Sequence, residues 1–170
     1  MAIVIRKGTV ADTEAYIDLL YTVQEAMPNK EWFFLDPAEE IREMMASGMM
    51  QLWVADDNGK MAGGFDYFVP KLEDFNYGYG LNFSDELLMR VVQMDTAAVA
   101  PGYRGLGLQN ILMKAAEEEI GREPGRILLC TIHPDNKYSL ENVLRQGYSI
   151  GAKVEIYDSV RYILRKDLAD

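Results

Sequence analysis

The sequence predicts a mixed α/β domain of 170 residues, and three observations carry that expectation. Short apolar runs at strand period alternate with longer runs at helical period. An Asn58-Gly59 dipeptide joins two strand-like runs, and a glycine-bearing loop at residues 100–107 leads from a strand-like run straight into a helical one. The expected order is strand, two helices, three strands, helix, strand, helix and two strands, with no internal repeat or low-complexity tract.

Residues 2–6 (AIVIR) read as the first strand. Thr9 is a good N-cap for a helix whose Tyr16, Ile17, Leu20 and Val23 share one face and whose end is marked by Pro28. The second helix has Asp36 as N-cap, Pro37 at its first position, Glu39 at the capping-box position and Gly48 as its stop. Residues 49–56 and 60–69 form a hairpin around Asn58-Gly59, the dipeptide that accepts the positive φ angles of a tight turn. Residues 70–90 are aromatic-rich and too irregular for a strand, so they read as an insertion with one short helix at 84–89. A central strand follows at 91–99. Apolar residues at 108, 111, 112, 115, 116 and 120 then mark an amphipathic helix closed by Gly121. A buried strand at 127–132, a helix capped by Asp135 or Asn136 and ended by Gly147, and strands near 148–156 and 159–165 complete the chain.

Composition narrows the function classes. Hydrophobic residues at 49% and charged residues at 26% describe a globular chain that folds by itself. Seventeen Lys and Arg against 27 Asp and Glu give a net charge of -10, which argues against a nucleic-acid partner and favours a cationic small molecule, or simply keeps the protein in solution. One cysteine, Cys130, and one histidine, His133, provide neither an internal disulfide nor a Cys/His metal cluster, so no metal is expected and a reducing cytoplasm fits. The N-terminal segment turns polar after five residues, and no apolar run approaches the roughly 18 to 20 residues that cross a bilayer. Neither a signal peptide nor a membrane association is expected.

The most informative segment is MDTAAVAPGYRGLGLQN, residues 94–110. A loop that opens directly onto a helix aims backbone N–H groups at an anion, and the helix dipole adds about half a positive charge there. Gly105 and Gly107 permit tight dihedrals and close approach of the backbone to phosphate oxygens. Each charge-assisted contact contributes roughly 1.5 to 3 kcal/mol. A P-loop is excluded because Leu108 and Gln109 stand where its Lys and Ser/Thr belong. A dinucleotide fingerprint fails because Asn110 occupies its third glycine or alanine slot.

This loop resembles the cofactor loop of the GNAT superfamily of acetyl-CoA-dependent N-acetyltransferases, Gln/Arg-x-x-Gly-x-Gly/Ala after a strand ending in valine. The matching residues are Val99, Pro101, Arg104 and Gly107, with Gln109 a departure in the last slot. HPDNKYSLENVLRQGY is similar to the superfamily's second signature, matched by Asn136, Ser139, Gly147 and Tyr148. The MDTA, GLQ and HPDN segments are also similar to those of a bacterial subgroup whose acceptor is not known. The resemblance implies a single GNAT-type acyl-CoA N-acyltransferase domain, with a mixed sheet of six to seven strands, splayed fourth and fifth strands, and about four helices. It implies acetyl-CoA as cofactor, its pantetheine arm between the splayed strands near Ala98 and Val99. The pyrophosphate would meet Arg104, Gly105, Gly107, Leu108 and Gln109, and Asn136 and Ser139 would touch the cofactor arm. Asn136 also reads as a plain helix cap.

Direct acetyl transfer needs a neutral amine near the thioester, an oxyanion donor and a proton for the leaving thiolate. The resemblance implies an acid at Asp95, four residues before Val99 on the same strand face, as general base. Its alternative role is a hydrogen-bonded acid that fixes the neighbouring strand. His133, at the end of a strand, is the second candidate base, and its His-Pro-Asp-Asn run equally reads as a turn in which histidine caps or packs. The tyrosine that acts as general acid in the superfamily is replaced by Val143, and Tyr138 lies on another helix face. Cys130 and the ten methionines read as packing.

The resemblance further implies that Trp32, Phe33 and Phe34, together with the final strand pair, wall the acceptor side; the three aromatic residues equally read as core packing. The expected partner is a small amine or a peptide. The insertion at 70–90 either closes the site or builds a homodimer contact. The competing function is a domain that senses acyl-CoA with little or no catalysis.

Overall fold

The computed structural model describes residues 2–169. Its strands are β1 (Ile3–Lys7), β2 (Gln51–Asp57), β3 (Lys60–Phe68), β4 (Val91–Val99), β5 (Ile127–Ile132), β6 (Ser149–Ile156) and β7 (Ser159–Asp167). They form one mixed sheet in the order β1-β2-β3-β4-β5-β7-β6. The helices are α1 (Thr13–Ala26), α2 (Ala38–Ser47), α3 (Asp85–Leu88), α4 (Leu108–Ile120) and α5 (Lys137–Arg145). The expected fold class is therefore found, and each strand lies within two residues of its predicted bounds.

The chain divides into two compact units. The first holds residues up to Tyr67 together with Thr96–Glu119, and the second holds Phe68–Asp95 and the chain from Ile120 onward.

In the first unit the predicted face of α1 is the buried one: Tyr16, Ile17, Leu20 and Val23 are at most 5% exposed and pack with Ile41 and Met45 of α2 and Leu52 and Val54 of β2. A Cβ at Gly64 of β3 would lie 2.7 Å from the Tyr16 ring, so only glycine lets this helix seat its tyrosine on the sheet. Asn58 and Gly59 both have positive φ, as the hairpin requires. Gly48 stops α2 with φ +79.

Two local expectations are corrected here. The N-cap of α2 is Pro37 rather than Asp36, because the Pro37 carbonyl accepts the first helical bonds from Glu40 and Ile41 while its ψ of 141 keeps it extended. On α4 the buried face carries Met113, and Ile111 is 43% exposed, so the apolar stripe is rotated from the expected one.

In the second unit β5 pairs with β7 over its whole length, and β7 with β6. Its apolar core gathers Tyr77, Val91, Ile127, Leu129 and Ile163. The parallel register of β4 and β5 runs only from Val91↔Ile127 to Gln93↔Leu129, although β5 continues to Ile132. The 70–90 insertion contains the expected short helix, α3, and also a 3-10 helix at Tyr77–Leu81 that the sequence pattern did not give. Asn76, 2% exposed, pins it: its side chain accepts from Gly78 N–H at 2.8 Å and donates to the Lys71 and Leu88 carbonyls at 2.7 and 3.1 Å. The Tyr77 N–H then donates to the buried Gln93 side chain of β4 at 2.6 Å, which fixes Tyr77 against the sheet.

Candidate active site

In the first unit β4 ends at Val99 and turns through a one-turn 3-10 helix, Pro101–Tyr103, before α4 begins at Leu108. The loop is tied down at its base. Ala100 N–H donates to the Ala62 carbonyl at 2.9 Å, and the Tyr103 hydroxyl donates to Asp57 at 2.6 Å. That bond holds the Asp57 carboxyl below its ordinary range and the Tyr103 phenol above its own. Beyond this anchor Gly105 and Gly107 adopt φ +83 and +72, the left-handed region that an L side chain rarely enters.

A Cβ at either glycine would meet nothing within 4 Å, so backbone conformation demands glycine and the space over the loop stays clear. The Gly107 carbonyl accepts from Ile111 N–H at 3.1 Å and opens α4. Helix geometry then turns the N–H groups of Leu108 and Gln109 outward at the positive end of a 13-residue helix. With exposed Arg104 before it, this donor set fits a diphosphate. Gln109 is half-buried, and its side chain leaves the backbone turn intact.

The other residues expected in this unit differ in exposure. Ala98 and Phe33 are buried in the same apolar core, at 1% and 8% exposed, whereas Phe34 is 43% exposed and Trp32 half-buried.

In the second unit Asp95 is half-buried on β4 and close enough to Tyr77 for its charge to act on that phenol. Tyr77, 7% exposed, is pushed well above the ordinary tyrosine range, first by burial and then by Asp95 and Tyr157. Its hydroxyl lies 2.7 Å from the Tyr157 hydroxyl. Tyr157 and Asp158 make the β6–β7 turn with φ 58 and 59, a conformation usually left to Asn and Gly. Arg161 of β7 is 6% exposed, and its Nε and Nη2 donate to the Thr131 hydroxyl and carbonyl at 3.1 and 3.3 Å. Burial lowers the guanidinium's pKa, with smaller opposing effects from Tyr77, Tyr157 and Cys130.

His133 is placed differently from Asp95. Its Nδ1 accepts the Asp135 N–H at 3.1 Å and its carbonyl accepts the Asn136 N–H at 2.9 Å, so it builds the turn that starts α5. Asn136 is the α5 N-cap, with Ser139 N–H 3.5 Å from its side-chain oxygen. Val143 is 3% exposed, and Tyr138 is 72% exposed. Cys130 is buried and in no disulfide, as its strand predicted.

Tyr77, Thr131, Tyr157 and Arg161 were not singled out by sequence reasoning. One signal was present: in SVRYILRKD, Arg161 shares strand parity with Ile163, which is 0% exposed, so an arginine stands at an apolar position. Tyr77 gave no such signal, because its place depends on the fold of the insertion.

The sequence model of the acetyltransferase (GNAT) family matches residues 17–148. No curated protein matches the chain. Among solved structures, a GNAT-family acetyltransferase from Streptococcus pneumoniae is similar with a TM-score of 0.73 at 15% identity, over 99% of this chain and 100% of that one. The Salmonella typhimurium protein YncA, solved with its cofactor acetyl-CoA, gives 0.71 at 16% over 100% and 96%. Arabidopsis thaliana NAA60 in complex with acetyl-CoA gives 0.72 at 13% over 98% of each chain. These identities speak for the fold alone, while the family match spans most of the sequence and includes the glycine loop and the α5 turn. The chain belongs to the GNAT family of acetyltransferases.

Proposed function

We infer that this protein transfers the acetyl group of acetyl-CoA directly to a primary amine. The observation that carries this reading is the glycine loop: two left-handed glycines and the first turn of α4 present backbone donors over clear space. Arg104, Gly105, Gly107, Leu108 and Gln109 would hold the diphosphate of the cofactor, with Ala98 and Val99 at the end of β4 nearest its arm. Bound acetyl-CoA supplies an activated thioester. Asn136 and Ser139 belong to the helix cap at the start of α5 and are the second-unit residues assigned to the cofactor.

Asp95 is the general base. It is a half-buried carboxylate with a buried tyrosine beside it, able to accept the ammonium proton and leave the amine nucleophilic. His133 has the weaker claim, because its Nδ1 lone pair is engaged by the Asp135 N–H. The buried Val143 leaves α5 without the family's tyrosine. Exposed Phe34 and half-buried Trp32 are better placed to meet an acceptor than Phe33, whose ring belongs to the core.

The test is free-thiol release from acetyl-CoA with a panel of polyamines, amino acids, aminoglycosides and peptide N-termini, alongside calorimetry with coenzyme A. Turnover with one class supports the enzyme. Tight acetyl-CoA binding with no turnover on any class would favour the sensor reading instead, and no heat with coenzyme A would refute both.

A further inference from the structure

We propose that Tyr77 is a positioning residue: carried by the insertion, it braces β4 against β5 and the β6–β7 turn just where β4 and β5 stop pairing, and so holds Asp95 in place to take the proton. This rests on the transfer reading above, in which Asp95 is the base, and adds to it a residue that acts through Asp95.

The sheet of the second unit opens at this point. β4 and β5 pair from Val91↔Ile127 to Gln93↔Leu129, and among the described residues no further pair joins them, although β5 runs on to Ile132. Asp95 lies two residues past the last pair, so on its β5 side no ladder bond fixes the backbone that carries it.

Tyr77 spans the opening on one face. Its N–H donates at 2.6 Å to the side chain of Gln93, and strand alternation puts Val91, Gln93 and Asp95 on that same face of β4. Its ring joins the core made by Val91, Ile127, Leu129 and Ile163. The hydroxyl end reaches β5 and the turn, bonded to the Thr131 hydroxyl and 2.7 Å from that of Tyr157. Thr131 is itself fixed from β7. Arg161 Nε, a donor only, gives its proton to the Thr131 oxygen at 3.1 Å, which leaves the Thr131 O–H to donate to Tyr77. One residue thus touches β4, β5 and the β6–β7 turn.

The insertion is seated firmly enough to anchor such a brace. Asn76 pins its backbone, and a Cβ at Gly80 would lie 2.6 Å from Cδ1 of Ile163, which is 0% exposed, so the 3-10 helix already rests against β7. Burial and then the Asp95 charge hold the phenol well above its ordinary range. Near neutral pH the hydroxyl therefore stays protonated, a neutral post that keeps its bonds whether Asp95 is charged or has taken up a proton.

The test is a double-mutant cycle on the full chain, read by thiol release with acetyl-CoA and the amine that the panel identifies. Tyr77→Phe keeps the ring and the N–H bond and removes only the hydroxyl. It should lower kcat/KM for the amine by about 10- to 100-fold, mostly through kcat, with coenzyme A affinity by calorimetry close to that of wild type. In an Asp95→Asn background the same substitution should cost less than about 2-fold, because the group it positions is gone. Equal losses in both backgrounds, or no loss in wild type, would overturn the proposal, since a merely structural tyrosine lowers both alike. Amide exchange over residues 92–95 and 130–133, measured in parallel, should quicken in Tyr77→Phe. If no amine is acetylated, or Asp95→Asn keeps full turnover, the transfer reading or its base falls and exchange alone decides the brace: faster exchange upholds it, and unchanged exchange overturns it.

Discussion

Each unit holds a tyrosine beside a carboxylate, and the two pairs have opposite fates. In the first unit the Tyr16 hydroxyl donates to Asp66 and also lies 3.3 Å from the Thr96 carbonyl, with Tyr16 at 0% and Asp66 at 1% exposed. In the second, Tyr77 lies near a half-buried Asp95, and its hydroxyl continues through Tyr157 to the surface. The first pair is sealed under the α1 and α2 core, out of reach of a ligand. The second reaches the surface through Tyr157, which is 39% exposed. If Asp95 is the base proposed above, two similar residue pairs divide into scaffold and chemistry according to access, not composition.

Breaking each pair at its acid should separate the two roles. Asp95→Asn should lower kcat/KM on the true acceptor by about 10²- to 10⁴-fold, the usual contribution of a positioned base, while the melting temperature moves by only a few degrees. Unchanged turnover across pH in this variant would remove Asp95 from the mechanism. Tyr16→Phe should do the reverse. It takes a donor from the buried Asp66 side chain, at a cost of about 1 to 3 kcal/mol, which for a chain of this size lowers the melting temperature by roughly 3 to 10 °C. Acetyl-CoA affinity, measured calorimetrically, should stay within a few-fold of wild type.

Two glycines sharpen the same distinction at smaller amplitude. At Gly64 an added Cβ meets the Tyr16 ring at 2.7 Å, so Gly64→Ala should cost about 1 to 3 kcal/mol of stability through overpacking. At Gly107 it meets nothing, so Gly107→Ala should cost only the left-handed φ, about 1 to 2 kcal/mol. Its larger consequence should be on ligand: relaxing φ 72 turns the loop amides away, and coenzyme A should bind about 10-fold more weakly or worse. Coenzyme A titrations that do not distinguish Gly107→Ala from wild type would show that the loop does not hold the diphosphate.

The same contrast explains what could be read from sequence. The glycine loop was legible because its information is local: strand, two glycines and helix occupy consecutive positions, and the φ values demanded of Gly105 and Gly107 follow from that succession. Asn58-Gly59 and Gly48 were legible for the same reason. The Arg161 cluster was not, because its members come from the insertion, from β5, from the β6–β7 turn and from β7. Only tertiary folding brings Tyr77 to Tyr157, across 80 residues. The start of α2 was misjudged on a subtler point, since an Asp-Pro pair fits either of two cap positions and the observed ψ of Pro37 decides between them. His133 reads as a candidate base because it is an imidazole at a strand end; the Asp135 N–H that occupies its Nδ1 is a detail of the turn that spacing does not encode.

The smallest effect expected is also the one that reads the Tyr77 environment most directly. Burial and the Asp95 charge raise the Tyr77 phenol well above an ordinary tyrosine, so the folded chain keeps a proton that the unfolded chain releases near pH ~10. Below that pH both states hold the proton and the contribution to stability is complete. As pH rises past it, only the unfolded state ionises, and stability falls until the folded phenol itself ionises. Thermal melts taken up an alkaline series should therefore decline more steeply for wild type than for Tyr77→Phe, which has no proton to lose at this site. Asp95→Asn removes the second of the influences that raise Tyr77, so its phenol should ionise at lower pH in a spectrophotometric titration, with a narrower alkaline window of declining stability. If Asp95→Asn leaves that titration where it was, the carboxylate does not act on Tyr77, and the open pair is no more coupled than its sequence separation would suggest.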